Sequence, residues 1–177
     1  MSISNLFLIF FMISTFTGCQ SQTTKLQVGD QFPFLEAQTL EDKKIIFPQD
    51  TNGKFTVLAT GFSQRAQEPI NTWTDFILKD YPELNYYEIP IGNSFYAVFG
   101  KSIDNAMKRA VPKELHSKTA TYYGNLHQSY IDQFDVNDKS TTYVFLLDKN
   151  GEILYKTSGF VTSKIKSEFK KALENNN

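Results

Sequence analysis

Thiols are nearly missing from this chain: Cys19 is the one cysteine in 177 residues. No disulfide can form within a single copy, and no cysteine pair exists for redox exchange or a thiolate metal centre. Histidine is almost as scarce, with only His116 and His127, whose spacing matches no metal motif. The acidic group Asp132, Asp135 and Asp138 lacks the Gly and Glu of a calcium loop. No metal and no cofactor is therefore expected. A cationic excess is missing too. The net charge of −1 leaves no basic face for a nucleic acid. Lys and Arg do not occur in residues 1–18, and there is no internal repeat.

What is present begins with an apolar run, Leu6-Phe7-Leu8-Ile9-Phe10-Phe11-Met12-Ile13. It closes on Ser14-Thr15-Phe16-Thr17-Gly18-Cys19 and is followed by the polar Gln20-Ser21-Gln22-Thr23-Thr24. An apolar segment of this length, capped by small residues, reads as a secretory signal. Its end, Thr17-Gly18-Cys19, resembles a bacterial lipoprotein signal, although Phe16 stands where Leu is usual. The alternative is an uncleaved membrane helix, for which residues 3–18 fall short of the roughly 20 apolar residues required. The resemblance implies cleavage before Cys19 and a diacylglyceryl group, carrying fatty acyl chains such as palmitate, on its sulfur. Two chains anchor stably where one does not. Gln20, rather than Asp, after the cysteine implies the outer membrane, with the protein facing the periplasm.

The expected organisation is a signal over residues 1–18, a lipidated tether over 19–27 and one domain over 28–174. Within the domain, Leu40 to Pro48 reads as a hairpin around a charged turn. Phe55 to Thr60 reads as a buried strand, rich in β-branched residues. Ile70, Trp73, Phe76 and Ile77 have helical spacing behind Pro69, and Tyr81-Pro82 ends that helix. Tyr87 to Ile91 is a second core strand. A long middle section, Gly92 to Val136, holds two helical candidates, Ile103–Ala110 and Leu126–Phe134. Then Thr142 to Leu147 is a strand, Asp148-Lys149-Asn150-Gly151 a turn, and Glu152 to Lys156 the returning strand. Ile165, Phe169 and Leu173 mark an amphipathic helix over Ser163–Leu173.

This order predicts an α/β fold with a mixed central sheet, helices on both faces and a helical insertion before the C-terminal β-hairpin. The run Val144-Phe145-Leu146-Leu147-Asp148-Lys149-Asn150-Gly151-Glu152-Ile153 resembles the strand, turn and strand of the thioredoxin and peroxiredoxin superfamily. The extension Ser158-Gly159-Phe160-Val161-Thr162 resembles one branch in particular. That branch is the thioredoxin-like assembly factor of the mitochondrial ATP synthase and its bacterial lipoprotein relatives. Arg109-Ala110-Val111-Pro112, His116 and Tyr122-Tyr123-Gly124 agree with it more loosely.

In a redox thioredoxin the first core strand leads into CxxC at a helix start, where exposed N–H groups stabilise a thiolate. Here Gly61-Phe62-Ser63-Gln64-Arg65-Ala66 follows that strand. Ser63 takes the nucleophile's position and Ala66 the resolving one. A serine hydroxyl needs a neighbouring base, so the plainer reading of Ser63 is a turn or cap residue. The superfamily's proline before the third core strand is replaced by Thr142, so a trans bond is expected there. Thiol–disulfide and peroxidase chemistry are thereby rejected. Arg65 beside a helix start could meet an anion, or be a solvated side chain.

Two functions follow from these residues. One is a membrane-anchored, non-redox thioredoxin-like module that binds a protein partner, for which the resemblance implies an assembly or chaperone role. The other is a small-molecule binder or non-thiol enzyme using the vestigial cleft around Ser63, Arg65 and Thr142.

Overall fold

Two strands without a polar face organise the molecule. In β3 (Thr56–Gly61) and β6 (Thr142–Leu147) every residue is buried, which requires cover on both sides of the sheet. They run antiparallel, from Thr56 opposite Leu147 to Gly61 opposite Thr142. Outside β3 lies β4 (Asn85–Asn93), parallel to it and reached through helix α1 (Gln67–Asp80). Outside β6 lies β7 (Ile153–Ser158), antiparallel, followed by the closing helix α5 (Ser163–Glu174). The computed structural model describes residues 24–176. The signal, Cys19 and most of the tether lie outside the described residues.

Three more strands widen the sheet on the β4 side. β1 (Leu35–Thr39) and β2 (Lys44–Phe47) form the expected hairpin, with Asp42 at positive φ in its charged turn. The middle section carries helices α2 (Ser94–Ala97), α3 (Gly100–Ala110) and α4 (His127–Phe134). It also carries strand β5 (Ala120–Gly124), where the sequence suggests only helices. β5 pairs over three residues with β4 and two with β1, giving the order β2-β1-β5-β4-β3-β6-β7. Five residues between polar turns show too little alternation to stand out from a loop. The strand exists because two neighbouring edges need backbone partners.

Side chains alternate between two cores. Leu58, Phe145 and Leu147 face Phe32, Phe47, Tyr130 and Phe134 under α4. Val57, Ala59, Val144 and Leu146 face Trp73, Phe76 and Phe169 under α1 and α5. Leu26, assigned to the tether by sequence, is buried in the first core, and its N–H donates to the Gln133 carbonyl. The expected Asp148–Gly151 turn is present. Asp148 accepts from the backbone N–H groups of Asn150 and Glu152, and Gly151 has φ +87°.

The segment after β7 is stitched to α1 at two points. The Trp73 indole N–H donates to the Gly159 carbonyl at 2.9 Å, and the Val161 N–H donates to the Thr72 hydroxyl at 3.1 Å. Phe160 stands exposed between the two stitches.

Candidate functional site

The parallel strands β3, β4 and β5 finish at one end of the sheet, and there the residues picked out by sequence gather. Beyond Gly61, Phe62 turns inward and Ser63 is extended, directly ahead of a 3-10 turn over Gln64–Ala66 that runs into α1. The Ser63 carbonyl accepts from the Ala66 N–H at 3.1 Å, as a turn residue's does. Its hydroxyl makes no cap bond. It donates instead to the Lys139 carbonyl at 2.6 Å, tying the loop before β6 to the end of β3.

Neither histidine bonds to Ser63 among the described residues. The His127 ring packs edge-on against Phe62 with centroids 5.9 Å apart. Burial there, with the nearby Lys139 charge adding, holds His127 below the usual histidine range. His116 is remote and bonds the Val111 carbonyl. The serine thus has a fixed acceptor and no base bonded to it, so its oxygen stays a neutral hydroxyl.

Arg65 is exposed and shares two adjoining shallow depressions with Ser63, Gln64, Asp138, Lys139 and Ser140 on one side and Asn71 and Phe160 on the other. Two donors from Ser140, with the Arg65 charge adding, keep the Asp138 carboxyl below the usual carboxylate range. The lining mixes charges of both signs without convergent donors. Among the described residues no His, Cys, Asp or Glu group could hold a metal ion.

Thr142 stands at the expected register, opposite Gly61, but it does not reach the depression. It is fully buried, and its hydroxyl donates to the Thr60 carbonyl at 2.9 Å. The Thr60 hydroxyl donates in return to the Tyr143 carbonyl at 2.9 Å. This reciprocal pair closes the floor of the cleft. The bond before Thr142 is trans, since Phe47–Pro48 is the only cis bond among the described residues. Ala66 is sealed as well: it is fully buried, 3.1 Å from where a Cβ on Gly61 would stand.

Two features here are not singled out by sequence. Glu88, in the middle of β4, is buried beneath α1 and accepts from the Thr74 hydroxyl, with no ion-pair partner among the described residues. Burial pushes its carboxyl above the usual range, opposed by hydrogen bonds from Thr74 and Gln67. A lone carboxylate inside a core strand was the available signal. The second is the turn that follows β4, where Phe95, Tyr96, Val98 and Phe99 are all exposed. It is seated by Tyr123, whose ring lies where a Cβ on Gly92 or Gly100 would stand, and whose hydroxyl donates to Asp104 at 2.9 Å.

The βαβ unit β3-α1-β4, the hairpin β6-β7 and the closing helix, with Ser and Ala at the two reactive positions, define a thioredoxin-like protein without redox cysteines. Solved structures agree on the fold. A Sco-family cytochrome c oxidase assembly protein, BsSco, superposes with a TM-score of 0.58 at 12% identity, covering 88% of this chain and 98% of that one. A SCO1/SenC family lipoprotein from Bacillus anthracis str. Ames gives 0.57 at 15% identity, over 82% and 95% of the two chains. A thiol peroxidase from Chromobacterium violaceum gives 0.56 at 12%, over 86% and 90%. No curated protein sequence matches. Residues 15–175 match the family model of the ATP10 protein, and the chain belongs to that family.

Proposed function

We propose that this protein is a lipid-anchored, non-redox thioredoxin-like module of the bacterial cell envelope that binds a protein partner during assembly of a membrane complex. The observation that carries this reading is a complete thioredoxin scaffold whose reactive corner holds Ser63 and Ala66 in place of thiols. With Thr142 turned inward and Ala66 sealed, that corner offers a surface of side chains and no nucleophile. Membership of the ATP10 family supports the assembly role. The Thr17-Gly18-Cys19 ending supports the anchor, and Gln20 supports the outer membrane with the domain in the periplasm.

The test has two parts. Radioactive fatty acid fed to cells labels the wild-type chain and not Cys19→Ala. A photo-crosslinking residue at Arg65 captures a reproducible subunit of a membrane complex, and loss of the protein lowers the amount of that complex assembled. An unlabelled Cys19 refutes the anchor. Failure to capture a reproducible subunit, with complex levels unchanged, refutes the partner.

A further inference from the structure

Eight large apolar side chains are exposed among the described residues, and six of them lie at one end of the sheet. Phe95, Tyr96, Val98 and Phe99 follow the end of β4, and Leu126 follows the end of β5. Phe160 follows β7, whose last residue pairs with Tyr143 at the same end. Phe34 and Val28 are elsewhere: Phe34 is two residues from Phe32, whose N–H donates to the Gly151 carbonyl, and Val28 is next to Gly29, which bonds Ile153 at the opposite end. The four residues after β4 are the most prominent, with exposures of 69% for Phe95 and 79% for Val98. The Phe95 ring touches those of Tyr96 and Phe99, at centroid separations of 6.2 and 5.7 Å.

These residues form no groove. They spread across the end of the sheet from β5 to β7, a width of about 20 Å at about 4.8 Å per strand. A broad apolar end without a groove fits a planar partner. Arg65, Lys101 and Lys139 are exposed at that end, beside Glu68 and Asp138. Aromatic rings interspersed with Arg and Lys are the side chains that reside at a membrane–water interface.

The chain's own path indicates which planar partner this is. Read backwards from Asp30, its bonds climb β7. Asp30 meets Ile153, Leu26 accepts from Lys156, and Lys25 pairs with Asp135 at 2.7 Å. The described residues from Asp30 back to Lys25 therefore run toward the apolar end. Cys19 is six residues from Lys25, a reach of at most about 20 Å, close to the height of the six-residue strands. An acyl group on Cys19 would hold a bilayer beside that end of the domain.

We infer that the turn Phe95–Phe99 inserts its side chains into the bilayer surface as a second membrane contact. The domain then stands with its Ser63 corner turned toward the membrane. This inference rests on the lipid-anchor reading and adds an orientation to it.

The test uses the full-length protein on vesicles of phosphatidylcholine and phosphatidylglycerol with brominated acyl chains. Val98→Trp supplies the reporter indole. Lys54→Trp, in the exposed turn before β3 at the opposite end, supplies the control indole. Trp73 is fully buried and gives a constant background. The reporter is quenched, more by shallow than by deep bromines, as expected for a residue about 5–10 Å into the interface. The control is not quenched, and adding Phe95→Ser and Phe99→Ser to Val98→Trp removes the reporter's quenching. An unquenched reporter on vesicle-bound protein overturns the inference while leaving the anchor intact. Equal quenching of reporter and control overturns the orientation. Shielding of the reporter by a co-purifying protein, without quenching by lipid, overturns it in favour of a protein contact. Failure of fatty-acid labelling at Cys19 is a separate result, and quenching by added vesicles is read whether or not the acyl group is present.

Discussion

Cutting the stitches between α1 and the segment after β7 tests whether that segment is held as a unit. In Thr72→Val the side-chain shape is kept and the acceptor for the Val161 N–H is lost. A net hydrogen bond is worth about 1 kcal/mol, and each kcal/mol moves the unfolding midpoint of a chain of this size by about 2–4 °C. Trp73→Phe costs more. The bond to the half-buried Gly159 carbonyl is lost, at about 1 kcal/mol. The substitution also opens space beside Phe76 and Phe169, whose rings lie 6.0 and 6.1 Å from the indole. Large-to-small changes in a core add a cavity cost. The single variant should therefore lose about 2–4 kcal/mol. Both bonds hold the same short segment, so the second cut finds it already loosened. The double variant should lose less than the sum by at least about 0.5 kcal/mol. Thermal unfolding in detergent, followed by circular dichroism, measures the energies. Hydrogen exchange at the Val161 amide measures the loosening. Strict additivity, or Trp73→Phe at wild-type stability, would refute the reasoning.

Two further perturbations follow from the buried polar and turn residues. Burial raises the Glu88 pKa above its unfolded value, so the folded state binds the proton more tightly. The stability this contributes is fully present below the ordinary carboxylate range and is lost as pH rises through the folded pKa. Glu88→Gln keeps an acceptor for Thr74 and cannot ionise. Its midpoint relative to wild type should therefore rise as the pH increases from below the ordinary carboxylate range through the folded-state pKa of Glu88, and a parallel pair of curves would remove the premise. Gly151→Ala should destabilise by about 2–5 kcal/mol, combining left-handed strain with overpacking. The added Cβ would stand 2.5 Å from the Pro48 Cβ and 2.7 Å from the Gln31 Nε2. Gly53→Ala is the control. It has a similar φ with nothing within 4 Å, and should cost only about 1–2 kcal/mol of backbone strain. Equal losses in urea unfolding would contradict the steric account.

The elements legible in the sequence are those whose burial leaves a periodic trace. β6 is legible at its observed limits, because a strand covered on both faces is an unbroken apolar run. α5 is legible to within one residue, through Ile165, Phe169 and Leu173, since one apolar stripe faces one core. The positions of Ser63 and Thr142 follow from register alone. Their orientations do not, because a hydroxyl turned to Lys139 or to Thr60 depends on partners 76 and 82 residues away. β5 escapes a sequence reading because its pairing is decided by neighbouring edges rather than by its own side chains. Phe95, Tyr96, Val98 and Phe99 carry no periodic trace that separates core from surface in the sequence. Their exposure in the fold shows that they lie outside the core.

The closed floor beneath Ser63 separates this scaffold from its disulfide-exchanging cousins by more than two missing sulfurs. A cysteine restored at 63 alone would find its natural mate's position fully buried beside Gly61. Thr142, committed to its neighbour strand, would give no support to a mixed disulfide with a client. Return to electron transfer would demand rebuilding of strand ends, not a point reversion. What the corner keeps is a fixed shape, with the Ser63 hydroxyl tying the loop before β6 to the end of β3.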